Sequence, residues 1–147
     1  MKNLLKACHT TYELKYHFVW IVKYRKDILL DQHIEKKLRE TFEEIGKRYW
    51  FEIIELGTDG NHLHAFIQAA PRYAPAIIAQ IIKSISAKEL FLAFPHIKDE
   101  LWGGEFWGDG YFVRSVGTET TAESVRLYVQ QQGLATGHKY VKQMKLF

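Results

Sequence analysis

Residues 50–68 limit the possible folds of this chain more than any other stretch. Trp50-Phe51-Glu52-Ile53-Ile54-Glu55-Leu56 is rich in β-formers and alternates weakly, Gly57-Thr58-Asp59-Gly60 has turn chemistry, and His62-Leu63-His64-Ala65-Phe66-Ile67-Gln68 alternates again. Two such runs around a glycine-containing turn predict an antiparallel hairpin. Successive side chains of a strand point to opposite faces. Leu63, Ala65 and Ile67 therefore share one face, and His62, His64, Phe66 and Gln68 share the other. Two imidazoles one strand-step apart on one face have a geometry that can chelate a metal ion.

The flanks extend the pattern. Residues 1–13 read as a lead-in. Tyr16 to Tyr24 is nearly continuous in apolar character and predicts a central strand. Asp31 is placed to cap a helix on which Ile34, Leu38, Phe42 and Ile45 recur at helical spacing. Pro75 fits the first turn of a second helix with a stripe from Ile77 to Leu90, broken at Phe94-Pro95. A glycine-rich loop, Leu101 to Gly110, leads into a strand at Tyr111–Val116. Thr120 with Glu123 forms a capping-box pattern ahead of a last helix, Ala122 to Gln132, stopped by Gly133. Strand-helix-strand twice over predicts an α+β, ferredoxin-like split βαβ domain: an antiparallel sheet with helices on one face, plus an extra C-terminal helix. The first and third strands are then central, and the histidine face is an exposed platform. The chain reads as one domain, 1–147, with a core at about 14–133 and a tail at 134–147.

Composition narrows the class. Apolar residues make up 47% and charged residues 25% of 147 residues, which excludes a disordered chain. The net charge of +3 permits nucleic acid without demanding it. Cys8 is the single cysteine, so neither an internal disulfide nor a cysteine zinc cluster can form. No signal pattern and no apolar run of about 18 residues occurs, which predicts a soluble, cytoplasmic protein without membrane contact. No P-loop pattern occurs, so no nucleotide cofactor is expected.

On the last helix Tyr128 and Gln132 lie four residues apart, on one face. A divalent ion held by His62, His64 and the Gln132 side-chain oxygen would keep positions open for a phosphate oxygen. Tyr128, one turn away, is then the candidate nucleophile. Gln130 and Gln131 point elsewhere around the helix, and Tyr111 and Tyr140 are less well placed rivals. Lys83, Lys88 and Arg114 are candidate phosphate contacts. Trp102 and Trp107 are candidates for stacking on bases, with core or loop-anchor roles as the alternative.

Gly60-Asn61-His62-Leu63-His64 resembles the His-hydrophobic-His (HUH) motif, and Tyr128-Val129-Gln130-Gln131-Gln132 resembles a Tyr-x-x-x-Gln motif. Residues 107–117 are similar to the strand that precedes the catalytic helix in the same family. Together they resemble the single-tyrosine HUH transposases of the IS-two-hundred/IS-six-hundred-and-five insertion-sequence family, over roughly residues 14 to 133. The resemblance implies a DNA transposase that cuts and rejoins single-stranded DNA beside hairpins at element ends, through a 5′-phosphotyrosine. It also implies magnesium or manganese as the ion and a homodimer whose active sites can be shared between subunits; in this sequence the linker Gly117-Thr118-Glu119 would permit the last helix to swing or cross over. The alternatives are a non-catalytic ferredoxin-like binder of single-stranded nucleic acid and a domesticated nickase acting on repeats.

Overall fold

The computed structural model describes residues 5–7, 9–117 and 119–132, with backbone alone for 119–122. The predicted lead-in carries structure: strands β1 (Leu5–Ala7) and β2 (Thr10–Tyr12) pair with each other in a small antiparallel sheet. The main sheet comprises β3 (Lys15–Ile21), β4 (Glu52–Asp59), β5 (His62–Gln68) and β6 (Phe112–Val116), in the order β4-β5-β3-β6. All its neighbours are antiparallel. This is the ferredoxin-like order, with the first and third strands of the main sheet in the middle.

Helix α1 (Gln32–Tyr49) starts where Asp31 accepts hydrogen bonds from the backbone N–H of His33 and Ile34, as the capping argument requires. Helix α2 (Pro75–Ala93) opens on its proline, and a short α3 (Ile97–Glu100) follows it. Ile34, Leu38, Phe42 and Ile45 of α1 and Ile78, Ile82 and Leu90 of α2 bury against Phe18, Trp20, Leu63, Ala65 and Ile67. The faces therefore fall as the alternation predicts. Trp20 stacks on Phe18 with ring centroids 5.0 Å apart and meets Phe42 edge-on at 6.1 Å. Burying large side chains such as these contributes about 1.5–3 kcal/mol each.

Three local expectations are corrected. Trp50 is not in a strand: it caps α1 in the left-handed conformation, its N–H bonded to the Gly46 carbonyl, and it is exposed. Gly57, Thr58 and Asp59 belong to β4, so the turn shrinks to Gly60-Asn61, with Gly60 at φ 61°. The last helix, α4, spans Glu119–Gln130, so Thr120 lies within it rather than capping it. The tail from residue 133, Tyr140 included, and the linker residue Thr118 lie outside the described residues.

The histidine face is not an open platform. Helix α4 lies across it, and Val129 forms a second apolar cluster with Phe66 and Val116, joined by Ile54, Val125 and Tyr128. The helices thus occupy both faces, α1 and α2 on one and α4 on the other. Among the described residues no helix is long and apolar enough to cross a membrane.

Candidate active site

The site grows from register. His62 pairs with Ile21 of β3 and Asp59 of β4; His64 pairs with Val19 and Gly57. His17, on β3 opposite Phe66, shares this face and is the diagonal neighbour of His64. The His62 and His64 rings lie 5.1 Å apart, and the His17 and His64 rings 5.3 Å apart. All three imidazoles are buried.

Helix α4 is set over them by β4. A bulge at Ile53/Glu55 lets the consecutive residues Ile54 and Glu55 both meet α4. The Glu55 carboxylate accepts a hydrogen bond from Gln130 Nε2 at 2.8 Å and lies 3.7 Å from Arg126 Nε. Gly57 leaves room for the end of the helix: a β-carbon there would overlap the Val129 carbonyl oxygen and sit 3.0 Å from the Gln132 β-carbon. The Tyr128 ring is consequently brought edge-on to His64 at 5.6 Å and to His17 at 6.0 Å. Gln132 follows within the same turn, its Nε2 donating to the Tyr128 carbonyl at 3.0 Å.

The structure thus brings together His62, His64, Tyr128 and Gln132 within one chain. Two polar atoms buried here, His64 Nε2 and Gln132 Oε1, have no hydrogen-bond partner among the described residues. An imidazole nitrogen and an amide oxygen in this state are suited to hold a divalent cation, so the donor set fits such an ion. Asp59 Oδ2 lies 3.7 Å from His62 Nε2 and adds negative charge at the rim. Burial, reinforced by His17 and His62, lowers the pKa of His64 to about 2. Burial first, then the Arg114 guanidinium, lowers that of His17 to about 4. Both rings are neutral at neutral pH, the state in which imidazole binds metal.

Of the candidate DNA contacts, Arg114 is exposed on the site face of β6, opposite His17. Lys83 and Lys88 stand on α2, across the sheet from the histidines. Lys83 is partly buried, its Nζ donating to the Gly108 carbonyl at 2.8 Å, and burial lowers its pKa. It lines a cleft of about 500 Å³ between α2 and residues 104–111, with Tyr111 on the opposite wall. Trp107 is a core residue whose Nε1 donates to buried Ser86 Oγ at 2.9 Å, whereas Trp102 is 76% exposed. In the sequence, His17, Asn61, Asp59, Glu55 and Gly57 carried no sign of a part in the site beyond their strand and turn positions. The one exception was His17, the only imidazole in the apolar run of the first central strand.

A ferredoxin-like sheet bearing paired imidazoles beneath a tyrosine helix defines a narrow class, and comparison with known proteins places the chain within it. Residues 10–132 match the family model described as "Transposase IS200 like". The chain belongs to this family of IS200-like transposases. It is 31% identical over 121 residues to the ISDra2 transposase TnpA of Deinococcus radiodurans, covering 82% of this chain and 85% of that protein. It is 27% identical over 127 residues to the transposase for insertion sequence element IS200 of Salmonella typhimurium, covering 84% of this chain and 80% of that protein. A transposase structure from Deinococcus radiodurans superposes with a TM-score of 0.72 at 27% identity, covering 95% of this chain and 96% of that one. A REP-associated tyrosine transposase bound to a REP hairpin shares the fold, with a TM-score of 0.58 at 14% identity over 85% of this chain and 70% of that one.

Proposed function

We propose that the chain cleaves and rejoins single-stranded DNA by transesterification, with Tyr128 as the nucleophile and His62, His64 and Gln132 as the ligands of a magnesium or manganese ion. The observation that carries this reading is the approach of the Tyr128 ring to His64, 5.6 Å away, beside two buried candidate ligand atoms, His64 Nε2 and Gln132 Oε1, that have no hydrogen-bond partner among the described residues. The Tyr128 oxygen attacks the scissile phosphorus and loses its proton to solvent. The bond from phosphorus to the 3′ oxygen breaks, and that oxygen leaves as a 3′-hydroxyl after gaining a proton. A 5′-phosphotyrosine remains on α4. One phosphodiester has replaced another at similar energy, so attack by an incoming 3′-hydroxyl reverses the step without a nucleotide cofactor. The ion, when bound, polarises the scissile phosphate and offsets charge that builds up in the transition state.

The partner is single-stranded DNA next to a hairpin, in keeping with the hairpin bound by the structural neighbour. The working form is a homodimer. Tyr128 faces its own chain's histidines here, which favours sites complete within each subunit.

The test mixes the protein with end-labelled single-stranded DNA carrying an element end, plus manganese, and looks for a covalent band on a denaturing gel. Wild type should form it, Tyr128→Phe should not, and His64→Ala should form far less. A band of undiminished intensity with Tyr128→Phe would show that another residue is the nucleophile.

A further inference from the structure

The ligand histidines have partners on their far sides, and these partners are not alike. His62 Nδ1 lies 2.7 Å from Asn61 Oδ1. An amide oxygen only accepts, so in the neutral ring His62 Nδ1 carries the proton and Nε2, 3.7 Å from Asp59 Oδ2, keeps its lone pair. The Asn61 amide is held in that sense by its own Nδ2, which lies 3.5 Å from the Arg25 carbonyl. That carbonyl belongs to one of two consecutive left-handed residues, Tyr24 and Arg25, at φ 60° and 53°. On the other ligand, His64 Nδ1 lies 3.1 Å from His17 Nε2, both rings buried. This nitrogen pair admits either donor. If His17 donated, His64 Nε2 would carry a buried N–H aimed at the ligand site with no acceptor among the described residues, an arrangement that native structures rarely tolerate.

We infer that His17 and Asn61 are positioning residues that fix both ligand imidazoles in the same tautomer, Nδ1 protonated and Nε2 presented as a lone pair. His17 is then not a third ligand, because its Nε2 is engaged with His64 Nδ1. It takes the place that a carboxylate or a backbone carbonyl usually occupies behind a metal-bound histidine. A neutral acceptor suits this position, since a carboxylate would add a buried charge next to Phe66 and Val116. The inference rests on the metal reading above but is separable from it, because the tautomers are properties of the metal-free chain.

The experiment has two arms on the full chain. Long-range proton–nitrogen NMR of the metal-free protein, uniformly labelled with nitrogen-15, reads the tautomer of each histidine. Nδ1–H on both His62 and His64 is expected, and Nε2–H on His64 would overturn the inference whatever the metal does. Manganese titration followed by electron paramagnetic resonance then compares wild type, His17→Phe and His17→Gln. His17→Phe should weaken manganese binding about 10–100-fold, the usual loss when such a partner is removed. His17→Gln, whose amide oxygen can accept the same proton, should restore most of it. Equal affinity in wild type and a folded His17→Phe would overturn the role. Failure of wild type itself to bind manganese, with the expected tautomers observed, would instead overturn the metal reading.

Discussion

The Val129 carbonyl of α4 lies directly over the α-carbon of Gly57 on β4, closer than any side chain would allow. Gly57 is the register partner of His64, so the contact that seats the helix is one residue across from a candidate metal ligand. Gly57→Ala should therefore act on catalysis through the position of α4. Overpacking a close contact costs about 1–3 kcal/mol. Taken from the seating equilibrium, this corresponds to a drop of roughly five- to 150-fold in the competent population. Single-turnover formation of the covalent DNA adduct should slow by that order while far-UV circular dichroism stays close to wild type. Adduct formation at the wild-type rate would show that Tyr128 reaches the histidines by some other placement of the helix.

The buried imidazoles tie stability to pH. The pKa values of His17, about 4, and His64, about 2, lie below the ordinary 6.5. Below pH 6.5 the unfolded chain takes up more protons than the native one, so unfolding becomes easier as the solution is acidified. The stabilisation is complete above that value and is lost as pH falls toward the folded values. Each histidine contributes a slope of at most about 1.4 kcal/mol per pH unit. Urea midpoints should fall between pH about 6.5 and 5, ahead of the titration of ordinary carboxylates. His17→Phe should remove roughly half of that dependence. A midpoint that stays level over this range would mean that the rings are hydrated in the native state.

The donor set also predicts which ion works best. Two imidazole nitrogens suit manganese better than magnesium, which prefers oxygen. Half-maximal adduct formation should require less manganese than magnesium. Gln132→Glu, which replaces the amide oxygen by a carboxylate, should narrow the gap between the two. A parallel titration of both ions with each protein decides it. Magnesium acting at the lower concentration with wild type would point to a site dominated by oxygen ligands, Asp59 among them.

The order of elements was legible because each apolar period is clear: Ile34, Leu38, Phe42 and Ile45 on one helix, Leu63, Ala65 and Ile67 on one strand face. The placing of the candidate site residues was legible in part for the same reason, since strand alternation puts His62 and His64 together and helical spacing puts Tyr128 over Gln132. The docking of α4 was not legible. It depends on a backbone carbonyl meeting a glycine, and neither partner carries a side-chain pattern. Trp102 and Trp107 sit in one glycine-rich loop and look alike in sequence. What separates them is the Ser86 hydroxyl, which is 21 positions away from Trp107. Trp50 reads as a strand former because tryptophan favours strands. Its place after Tyr49 makes it the left-handed cap of α1 instead.

The three basic residues raised as phosphate contacts are separated by the sheet, and that separation gives a test of where the strand runs. Arg114 lies on the site face in register with His17, its guanidinium 5.5 Å from the Phe112 ring. Lys88 is exposed on α2 behind the sheet, and Lys83 is held by the Gly108 carbonyl. Arg114 thus shares the face of Tyr128, whereas α2 packs on the other face of the sheet. Arg114→Ala should therefore weaken binding of single-stranded DNA and lower the slope of log affinity against log salt by about 0.7, the value for one single-strand phosphate contact. Lys88→Ala should leave the slope unchanged. Lys83→Ala should act mainly on stability, by about 0.5–1.5 kcal/mol for the lost hydrogen bond. Fluorescence anisotropy across a sodium chloride series measures the first two, and urea unfolding the third. A larger slope change for Lys88→Ala than for Arg114→Ala would route the DNA over α2 and move the phosphate contacts to the opposite side of the sheet.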